Sequence, residues 1–400
     1  MARVRASIRH PHSLRSQSRL LRIMHVDHAT VLGGAERSIL ELAAAQVERG
    51  HTVTVAAGWH GPFTQAAVER GVEALSLGLP RNYVDAPARS NLRAGALAGW
   101  SLVTASRRIS AAIQAVRPDV VHVHTRKSQL ATLPLLRHSR PMLFHLRDPL
   151  PHHPILRLPM VLAVRRASHA VALTPWVTEQ YDRANARPRS GTIRVVPSGV
   201  NQEHLVRLAT PWLDGLAAPR IGFVGQVASW KGPHLIVELA ELLGKRHDAS
   251  FHVVGDVLFP AAERRYGEWL RQRLEASPAR DLITWHPATA TPEEAMDRID
   301  ILVHSSIAPE PFGRVLVEAM ASRRPIVAFR RGSTTSLLND QTAVLAGTDR
   351  IEDLAAGVER LITDRPAARD MAVRAAEAAR QFEPAHVADL MDAEYHRIVT

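Results

Sequence analysis

Short apolar runs alternate with amphipathic stretches along the chain from residue 21 onward. Residues 22–27, RIMHVD, have the composition of a buried strand, and the stretch from 33 to 49 that follows is amphipathic and stops at Gly50. The same order of strand and helix recurs at residues 52–56 and 63–70. Because parallel strands are joined by long crossover connections, usually helices, this alternation predicts an α/β fold with doubly wound parallel sheets.

The strand pattern continues through both halves of the chain. Residues 81–93 read as a polar linker, and the proline-rich residues 149–159 are expected to be irregular. A length of 400 residues with 46% hydrophobic content is enough for two globular domains, each with its own core. Further strands are predicted at residues 119–124, 142–146, 169–173, 193–197, 221–225, 251–256, 282–285, 301–303 and 324–327.

The composition excludes some kinds of site and ranks the expected partners. Cysteine is absent, which excludes disulfides, thiolate metal sites and a cysteine nucleophile. No stretch approaches the ~20 apolar residues that a membrane-spanning helix needs, so a soluble cytoplasmic protein is expected. The formal net charge of +11 suits an anionic membrane surface first, phosphorylated substrates second and nucleic acid last. Nucleic acid is not expected as a partner because the basic residues are scattered and the aromatic residues are few.

Residues 301–327, ILVHSSIAPEPFGRVLVEAMASRRPIV, contain the strongest functional signal. The apolar start predicts a strand, and the apolar positions between Val315 and Met320 predict a helix that starts near Gly313. At the carboxyl edge of a parallel sheet, the free N–H groups at such a helix start point into a crevice. An anion, such as a diphosphate, is the ligand that this arrangement favours.

Two carboxylates flank this predicted anion site. Glu310 lies in the loop and Glu318 on the second turn of the helix, eight positions apart. At about 1.5 Å rise per helical residue their heads can lie roughly 10 Å apart, which is about the span of a hexose plus a ribose. They are not spaced to converge on one cation, so no metal site is expected. The alternative is that both are ordinary surface carboxylates, one on a loop and one on a helix.

The string Glu310-Pro311-Phe312-Gly313, followed by Glu318-Ala319-Met320-Ala321, resembles the E-x7-E signature of retaining, nucleotide-sugar-dependent glycosyltransferases of family 4. Members of that family have the GT-B fold, in which two Rossmann-like domains face each other across a cleft. The resemblance implies that Glu310 is catalytic and contacts the transferred sugar, and that Glu318 holds the ribose. It assigns diphosphate binding to the backbone of Phe312, Gly313, Arg314 and Val315.

The resemblance also implies the domain organisation. The expected units are a disordered basic leader at residues 1–20, an N-terminal acceptor-binding domain at 21–200, a linker at 201–218 and a nucleotide-sugar-binding domain at 219–382. Residues 383–400 are expected to form a helix that crosses back to the first domain.

The same resemblance assigns donor-binding roles to two glycine-containing turns. Gly33 and Gly34, at the first strand-to-helix turn, are expected to face the donor phosphates, because glycine lets a backbone approach a phosphate closely. In the second domain Lys231 is expected to neutralise the leaving diphosphate as a catalytic residue. Gln226 stands where the family usually has an arginine, so one positive charge at the leaving group is missing. Arg314 or Arg147 is a candidate substitute.

The acceptor side is predicted from the strands of the first domain. His145 ends a strand, as a histidine does near the acceptor and the reacting sugar in the resembled family, and we interpret it as catalytic. His124 and Arg147 are further acceptor-side candidates. A purely structural strand-end histidine is the alternative for both histidines. His122 and His124 share one face of a strand, but no carboxylate is spaced to join them around zinc.

The function implied by the resemblance is transfer of a hexose from a UDP- or GDP-linked sugar to a hydroxyl acceptor with retention. The acceptor is expected to be a cell-envelope glycan, a lipid-linked sugar or a small glycoconjugate, with a peripheral contact to the inner face of an anionic membrane. No cofactor or metal is expected, since the nucleotide sugar is a co-substrate. The alternatives are a nucleotide-sugar epimerase, a phosphosugar synthase, and a catalytically weakened sugar-nucleotide-binding protein.

Overall fold

The computed structural model describes residues 19–84, 95–135, 140–215, 217–258, 260–347 and 349–399. The strands in these ranges are β1 Arg22–Val26, β2 Thr52–Ala57, β3 Glu73–Ser76, β4 Val120–Val123, β5 Met142–Leu146, β6 His169–Ala172, β7 Ile193–Val195, β8 Arg220–Val224, β9 Ser250–Val254, β10 Ile283–His286, β11 Ile301–His304, β12 Ile326–Phe329 and β13 Val344–Ala346. The helices are α1 Gly34–Glu48, α2 Pro62–Val68, α3 Arg81–Val84, α4 Gly95–Val116, α5 Arg126–Thr132, α6 Pro154–Arg166, α7 Pro175–Arg183, α8 His234–Leu243, α9 Pro260–Glu275, α10 Pro292–Met296, α11 Arg314–Ala321, α12 Thr334–Leu337, α13 Ile351–Thr363, α14 Arg365–Ala379 and α15 Pro384–Val399.

The strands form two parallel sheets. The first has the order β3-β2-β1-β4-β5-β6-β7 and the second the order β10-β9-β8-β11-β12-β13. All the strand pairs are parallel. In each sheet the chain starts at a central strand, builds to one edge and then returns to the other side. The predicted fold class of two doubly wound parallel-sheet units is confirmed.

This topology places a crevice in each sheet. The direction of winding reverses between β1 and β4 in the first sheet and between β8 and β11 in the second. Ligands of open parallel sheets bind at the carboxyl ends of the strands where the order reverses. The residues that directly follow these four strands are therefore the first candidates for a site.

Helices cover both faces of each sheet, so almost all side chains of the central strands are buried. Along β1, Ile23 packs in one buried cluster with α1, while Met24 and Val26 pack in another cluster on the opposite face. This explains why β1 reads as a continuous apolar run and lacks the alternation of a half-exposed strand. Its burial also fixes the positions of the polar residues at its carboxyl end.

The last helix belongs to the core of the first sheet. Val387, Met391 and Tyr395 of α15 are buried in the same cluster as Leu21 and Ile23. After the second sheet the chain therefore returns to the first.

Three details differ from the prediction. The short edge strands β3 and β13 were not expected, because half-exposed segments of three or four residues have no clear apolar pattern. Residues 149–159 are not wholly irregular, since α6 begins at Pro154. A proline at the first helical position removes an N–H group that has no helical partner anyway. The predicted polar linker at 81–93 also departs from the prediction, because its first residues, Arg81–Val84, form α3. Residues 1–18 of the predicted leader and residues 85–93 of the predicted linker lie outside the described residues.

Candidate active site

The loop between β11 and α11 is shaped by a glycine. Gly313 immediately precedes α11 and has a φ of 81°, in the left-handed region that a residue with a Cβ atom rarely adopts. The helix begins at Arg314, as the sequence predicts, with free N–H groups at its first turn. Phe312, just before it, is buried against Phe382, whereas Val315 is half-buried. The helix start is thus fixed by packing on its N-terminal side.

Glu310 is buried in this loop and has three side-chain partners. Its Oε2 atom accepts a hydrogen bond from Nζ of Lys231 at 2.8 Å, and Oε1 lies 3.1 Å from Nε2 of His304. The hydroxyl of Ser306 also donates to Oε1. Burial disfavours ionisation of Glu310, but the interactions with Lys231 and His304 outweigh it and hold the pKa of this carboxyl far below its usual range. Glu310 is therefore a fixed negative charge.

Lys231 reaches Glu310 from a turn that packs on the end of β11. The turn ends at Gly232, which has a φ of 67°, and a Cβ atom there would lie 2.4 Å from the carbonyl oxygen of Ser305. Only glycine allows this close approach. The Lys231 ammonium also lies 4.7 Å from the centre of the Trp230 ring. One of its three N–H donors is used by Glu310, which leaves two for a ligand.

Gln226 lies in the turn after β8, close in sequence to Lys231. It is half-buried, and its side chain has no hydrogen bond to any described residue. No charged group thus stands at the position where the resembled family usually has an arginine.

Glu318 and Arg314 lie on the same face of α11. The carboxylate of Glu318 is 3.6 Å from Nε of Arg314. Burial raises the pKa of Glu318 despite this nearby cation, and Glu41 of α1 adds to the increase. Arg314 itself bonds to Glu41 at 2.9 and 3.0 Å and to the carbonyl oxygen of Gly199 at 2.7 Å. The first turn of α11 is therefore tied to the first sheet and to the segment that joins the two sheets.

The glycine turn after β1 faces the start of α11. Gly33 precedes α1, and its N–H donates to Oε2 of Glu36 at 2.9 Å. A Cβ atom on Gly34 would lie 3.5 Å from Cδ of Arg314. The two helix starts, one from each sheet, thus meet across the cleft, and their role in diphosphate binding stays a prediction.

Burial raises the pKa of Glu36 to about 7, and the nearby Asp27 carboxylate adds to this increase. One oxygen of Asp27, Oδ2, is buried and has no hydrogen-bond partner among the described residues. These two carboxyl groups belong to the cleft side of the first sheet and were not singled out as a pair from the sequence.

The predicted acceptor-side residues lie deeper than expected. His145 is buried, stacks on His122 with ring centres 5.3 Å apart, and bonds through Nε2 to the carbonyl oxygen of Val196 at 3.2 Å. His124 is buried as well, and its Nδ1 accepts a hydrogen bond from Nε of Arg147 at 3.2 Å. Of the three candidates, only Arg147 extends toward α1, where it contacts the hydroxyl of Ser38. Their acceptor roles stay predictions.

His25 and His122 complete a buried histidine cluster that the sequence pattern did not reveal as one unit. His25 is paired with His122 in the parallel register of β1 and β4. Ring nitrogens of His25, His122 and His124 lie within 4.8 Å of one another, a spacing that a metal ion can bridge. Burial lowers the pKa of His25 to about 4 and lowers those of the other two well below the usual value. All three rings are therefore neutral at pH 7.

Two family models match the chain. One, described as "Glycosyl transferases group 1", matches residues 216–382, and the other, described as "Glycosyltransferase Family 4", matches residues 32–204. Between them they extend from the first glycine turn to the end of the segment that precedes α15. Both halves of the cleft described above lie within these matches.

Curated relatives match part of the chain. The D-inositol 3-phosphate glycosyltransferase of Arthrobacter sp. is 30% identical over 181 residues, which cover 44% of this chain and 42% of that protein. The poly(ribitol-phosphate) alpha-N-acetylglucosaminyltransferase of Staphylococcus aureus is 24% identical over 160 residues, or 39% of this chain and 31% of that protein. The chain thus aligns with less than half the length of these relatives.

Solved structures match almost the whole chain. The structure of Anabaena HepE in complex with UDP has a TM-score of 0.77 and 21% identity, and the match covers 94% of this chain and 100% of that one. For the sucrose-phosphate synthase of Thermosynechococcus elongatus the TM-score is 0.76 and the identity 17%, with 95% and 99% covered. At these identities the likeness shows a shared fold.

Within the described ranges, no helix has both the length and the apolar character to cross a membrane. The two family models account for both halves of the cleft, and the fold of the two parallel sheets matches that of the HepE structure over 94% of this chain. The chain therefore belongs to the family 4, group 1 glycosyltransferases and has the GT-B fold.

Proposed function

We propose that this chain is a retaining glycosyltransferase that moves a hexose from a UDP- or GDP-linked sugar to an acceptor hydroxyl without a metal. The observation that carries the proposal is Glu310, a buried carboxylate kept ionised by Lys231 and His304 directly before α11. A desolvated charge beside an anion site is suited to a reaction in which positive charge develops on the sugar ring.

The donor binds along the start of α11. Its diphosphate lies at the free N–H groups of the helix, where the helix dipole favours negative charge. The two free N–H donors of Lys231 neutralise the oxygens of the leaving phosphate. Glu318, one turn further along, accepts hydrogen bonds from the ribose hydroxyls. Glu310 contacts the hexose between the diphosphate and the acceptor.

Transfer occurs on one face of the sugar. The bond between the anomeric carbon and the diphosphate oxygen breaks, and the acceptor oxygen forms its bond to the same carbon from the same side. The acceptor proton passes to the departing diphosphate, which takes the electron pair of the broken bond. Closure of the Gly33–Gly34 turn onto α11 excludes water from this step.

UDP is the first nucleotide to test, because structures of the fold relative HepE contain UDP and UDP-glucose. D-Inositol 3-phosphate is the first acceptor to test, because it appears in the name of a 30% identical relative. Glycans and lipid-linked sugars follow, since the +11 charge of the chain suits anionic acceptors and membrane surfaces. Sedimentation with anionic and with neutral lipid vesicles tests the peripheral membrane contact.

The proposal is tested with the purified chain, UDP-glucose and GDP-mannose, each with and without EDTA. A ligand that binds the native state raises the melting temperature, which ranks the nucleotides before any acceptor is known. Transfer that continues in the presence of EDTA supports metal independence. A product whose anomeric configuration, determined by NMR, is the same as that of the donor supports retention. E318Q is expected to weaken nucleotide binding, whereas E268Q, at an exposed position on α9, serves as the matched control.

Three results would contradict it. An inverted product would rule out retention, and loss of transfer in EDTA would rule out metal independence. An epimerised nucleotide sugar would favour the epimerase alternative. Nucleotide binding without transfer to any acceptor would favour a weakened sugar-nucleotide-binding protein, for which the uncharged Gln226 is the supporting observation.

A further inference from the structure

Arg147 differs from the cleft cations Lys231 and Arg314 in having no carboxylate partner. Lys231 is paired with Glu310 and Arg314 with Glu41, each at 2.9 Å or less at its shortest contact. Within the described ranges no carboxylate oxygen lies within 4.0 Å of Arg147, although its side chain is only 7% exposed. A buried guanidinium without an ion pair is costly to maintain for structural purposes alone.

The N–H groups of Arg147 are only partly used. Nε donates to Nδ1 of His124 at 3.2 Å, and Nη1 and Nη2 each reach the hydroxyl of Ser38 at a long 3.4 Å. A guanidinium has five N–H donors, so two have no acceptor among the described residues. Burial lowers the pKa of Arg147 to about 10, while Asp27 and Glu36 oppose this decrease from beyond contact distance. Arg147 therefore remains charged at pH 7.

The contact with His124 fixes the tautomers of the histidine cluster. Since arginine can only donate, Nδ1 of His124 must carry a lone pair, and in the neutral ring its proton is on Nε2. That proton is donated to Nδ1 of His25, 2.9 Å away. His25 must then carry its own proton on Nε2, which donates to Oε1 of Gln46 at 2.8 Å.

The chain of hydrogen bonds continues to the last helix. Nε2 of Gln46 donates to the hydroxyl of Tyr395 at 3.2 Å. Burial raises the pKa of Tyr395 well above its usual value, so the phenol keeps its proton and donates it to Nδ1 of His122 at 2.6 Å. We call these residues the Arg147 relay: Arg147, His124, His25, Gln46, Tyr395 and His122. Every donor in it points away from Arg147.

The direction of these hydrogen bonds disfavours metal binding by His25, His122 and His124. A metal ligand needs a free lone pair, but those of Nδ1 in His124 and in His25 are already used as acceptors in the relay. A metal ion would have to displace Arg147 from His124 and would also lie near its positive charge. The hydrogen bonds of the relay are sufficient to explain why the three histidine rings lie close together, and no metal ion is needed.

Asp27 indicates which ligand chemistry would suit Arg147, because its carboxylate is the largest opposite charge acting on that guanidinium. Asp27 follows β1 and its Oδ2 is buried without a partner, so it needs a hydrogen-bond donor. A phosphate dianion or a carboxylate can only accept hydrogen bonds. A hydroxyl group can accept from Arg147 and donate to Asp27 at once. The two unpartnered groups together favour a polyol, such as a sugar or a cyclitol, over a bare anion.

We propose that Asp27 and Arg147 bind a hydroxyl-bearing part of the acceptor, and that the Arg147 relay positions the guanidinium for this contact from the far side of β1 and β4. The assignment of this ligand to the acceptor rests on the proposed function. Arg147 and Asp27 act by contact, whereas His124, His25, Gln46, Tyr395 and His122 are positioning residues.

The relay is tested without any substrate. In protein labelled with ¹⁵N in histidine, long-range proton–nitrogen spectra identify which ring nitrogen carries the proton. His124 and His25 are expected to be protonated on Nε2, with signals assigned from H124Q and H25Q. R147M removes the donor and is expected to change the tautomer of His25, which Arg147 does not touch. R147K keeps a donor and is expected to restore it.

A His25 tautomer that is the same in R147M as in the wild type would overturn the relay, and so would a stoichiometric metal ion in the purified protein. If R147M does not fold, Y395F removes only the hydroxyl at the far end. Y395F is then expected to change the protonation of the His122 ring, and an unchanged His122 would overturn the relay equally.

The ligand is tested by kinetics and calorimetry. With UDP-glucose and whichever tested acceptor is turned over, R147K and D27N are each expected to raise the KM for the acceptor tenfold or more. The Kd for UDP is expected to stay within twofold of the wild type. A parallel loss of UDP affinity would overturn the proposal in favour of a diphosphate contact. If no acceptor is turned over, the proposed function fails, while the tautomers still decide the relay.

Discussion

Both oxygens of the Glu41 carboxylate accept hydrogen bonds from the Arg314 guanidinium, at 2.9 and 3.0 Å, although Glu41 lies under the first sheet and Arg314 starts the helix that follows β11 in the second. A bidentate pair of this kind has little freedom of orientation. Both side chains are largely buried. The pair therefore holds the two halves of the cleft in one relative position.

E41Q is expected to weaken this link and to lower kcat about tenfold, because about 1.4 kcal/mol of closure energy corresponds to a factor of ten. Small-angle scattering is expected to show a larger radius of gyration for the variant. E48Q, on the same helix but without an ion pair among the described residues, is the control. An E41Q variant with the kcat and the scattering curve of E48Q would show that the pair does not set the closure.

K231M is expected to destabilise the fold by about 3 kcal/mol, because it leaves the buried carboxylate of Glu310 without its cation. Adding E310Q to K231M is expected to recover part of this loss, since the double variant has no buried charge at this point. Denaturant unfolding of the two single variants and the double variant measures the coupling. K245M, at an exposed lysine, is the control, and simple additivity of the two changes would contradict the expectation.

Q226R is expected to raise kcat about tenfold or more, because one donor aimed at a leaving group contributes a factor of about 10² to 10³. The half-buried Gln226 has no hydrogen bond to a described residue, so its replacement breaks none there. Steady-state rates with UDP-glucose measure the effect. Q226M tests whether size alone is responsible, and equal rates for Q226R and Q226M would exclude a role for the added charge.

Acid is expected to destabilise the protein through the histidine cluster. Burial lowers the pKa of His25 from 6.5 to about 4, so the unfolded chain takes up a proton at a higher pH than the native state. The contribution of neutral His25 to the free energy of unfolding is fully present above pH 6.5 and is lost as the pH falls toward 4. For this group alone the loss is up to about 3 kcal/mol. The free energy of unfolding, measured from pH 8 to pH 5, should fall less in H25Q than in the wild type.

Glu36 has the opposite dependence. Burial raises its pKa from 4.5 to about 7, so the ionised form that prevails at pH 8 is unfavourable in the native state. E36Q removes this charge and keeps an oxygen for the N–H of Gly33. It is expected to stabilise the fold by up to about 3 kcal/mol at pH 8 and to have no such benefit near pH 4.5. A stabilisation that is equal at both pH values would contradict the assigned cause.

Local patterns predicted much of the fold and part of the site. The apolar run of residues 301–303 and the spacing from Val315 to Met320 were enough to predict β11, the loop and α11, because these features repeat at the periods of strand and helix. Edge strands such as β3 were missed because their half-exposed faces leave no such period.

Contacts between distant residues were not predictable in this way. The pairing of Lys231 with Glu310 joins residues 79 positions apart, and that of Arg314 with Glu41 joins residues 273 apart. The Arg147 relay depends on the register that places His25 beside His122 and on a tyrosine from the last helix. Strand alternation put His122 and His124 on one face, but only the tertiary structure shows which neighbours complete the cluster.

The return of α15 to the first sheet affects how the chain folds during synthesis. Val387, Met391 and Tyr395 close a core that Leu21 and Ile23 begin. The first sheet, although made early, therefore cannot complete its core until residues 387–395 have been synthesised, contrary to the usual vectorial order. A nascent chain halted before residue 384 would expose the apolar surface that α15 covers, and chaperones bind such surfaces.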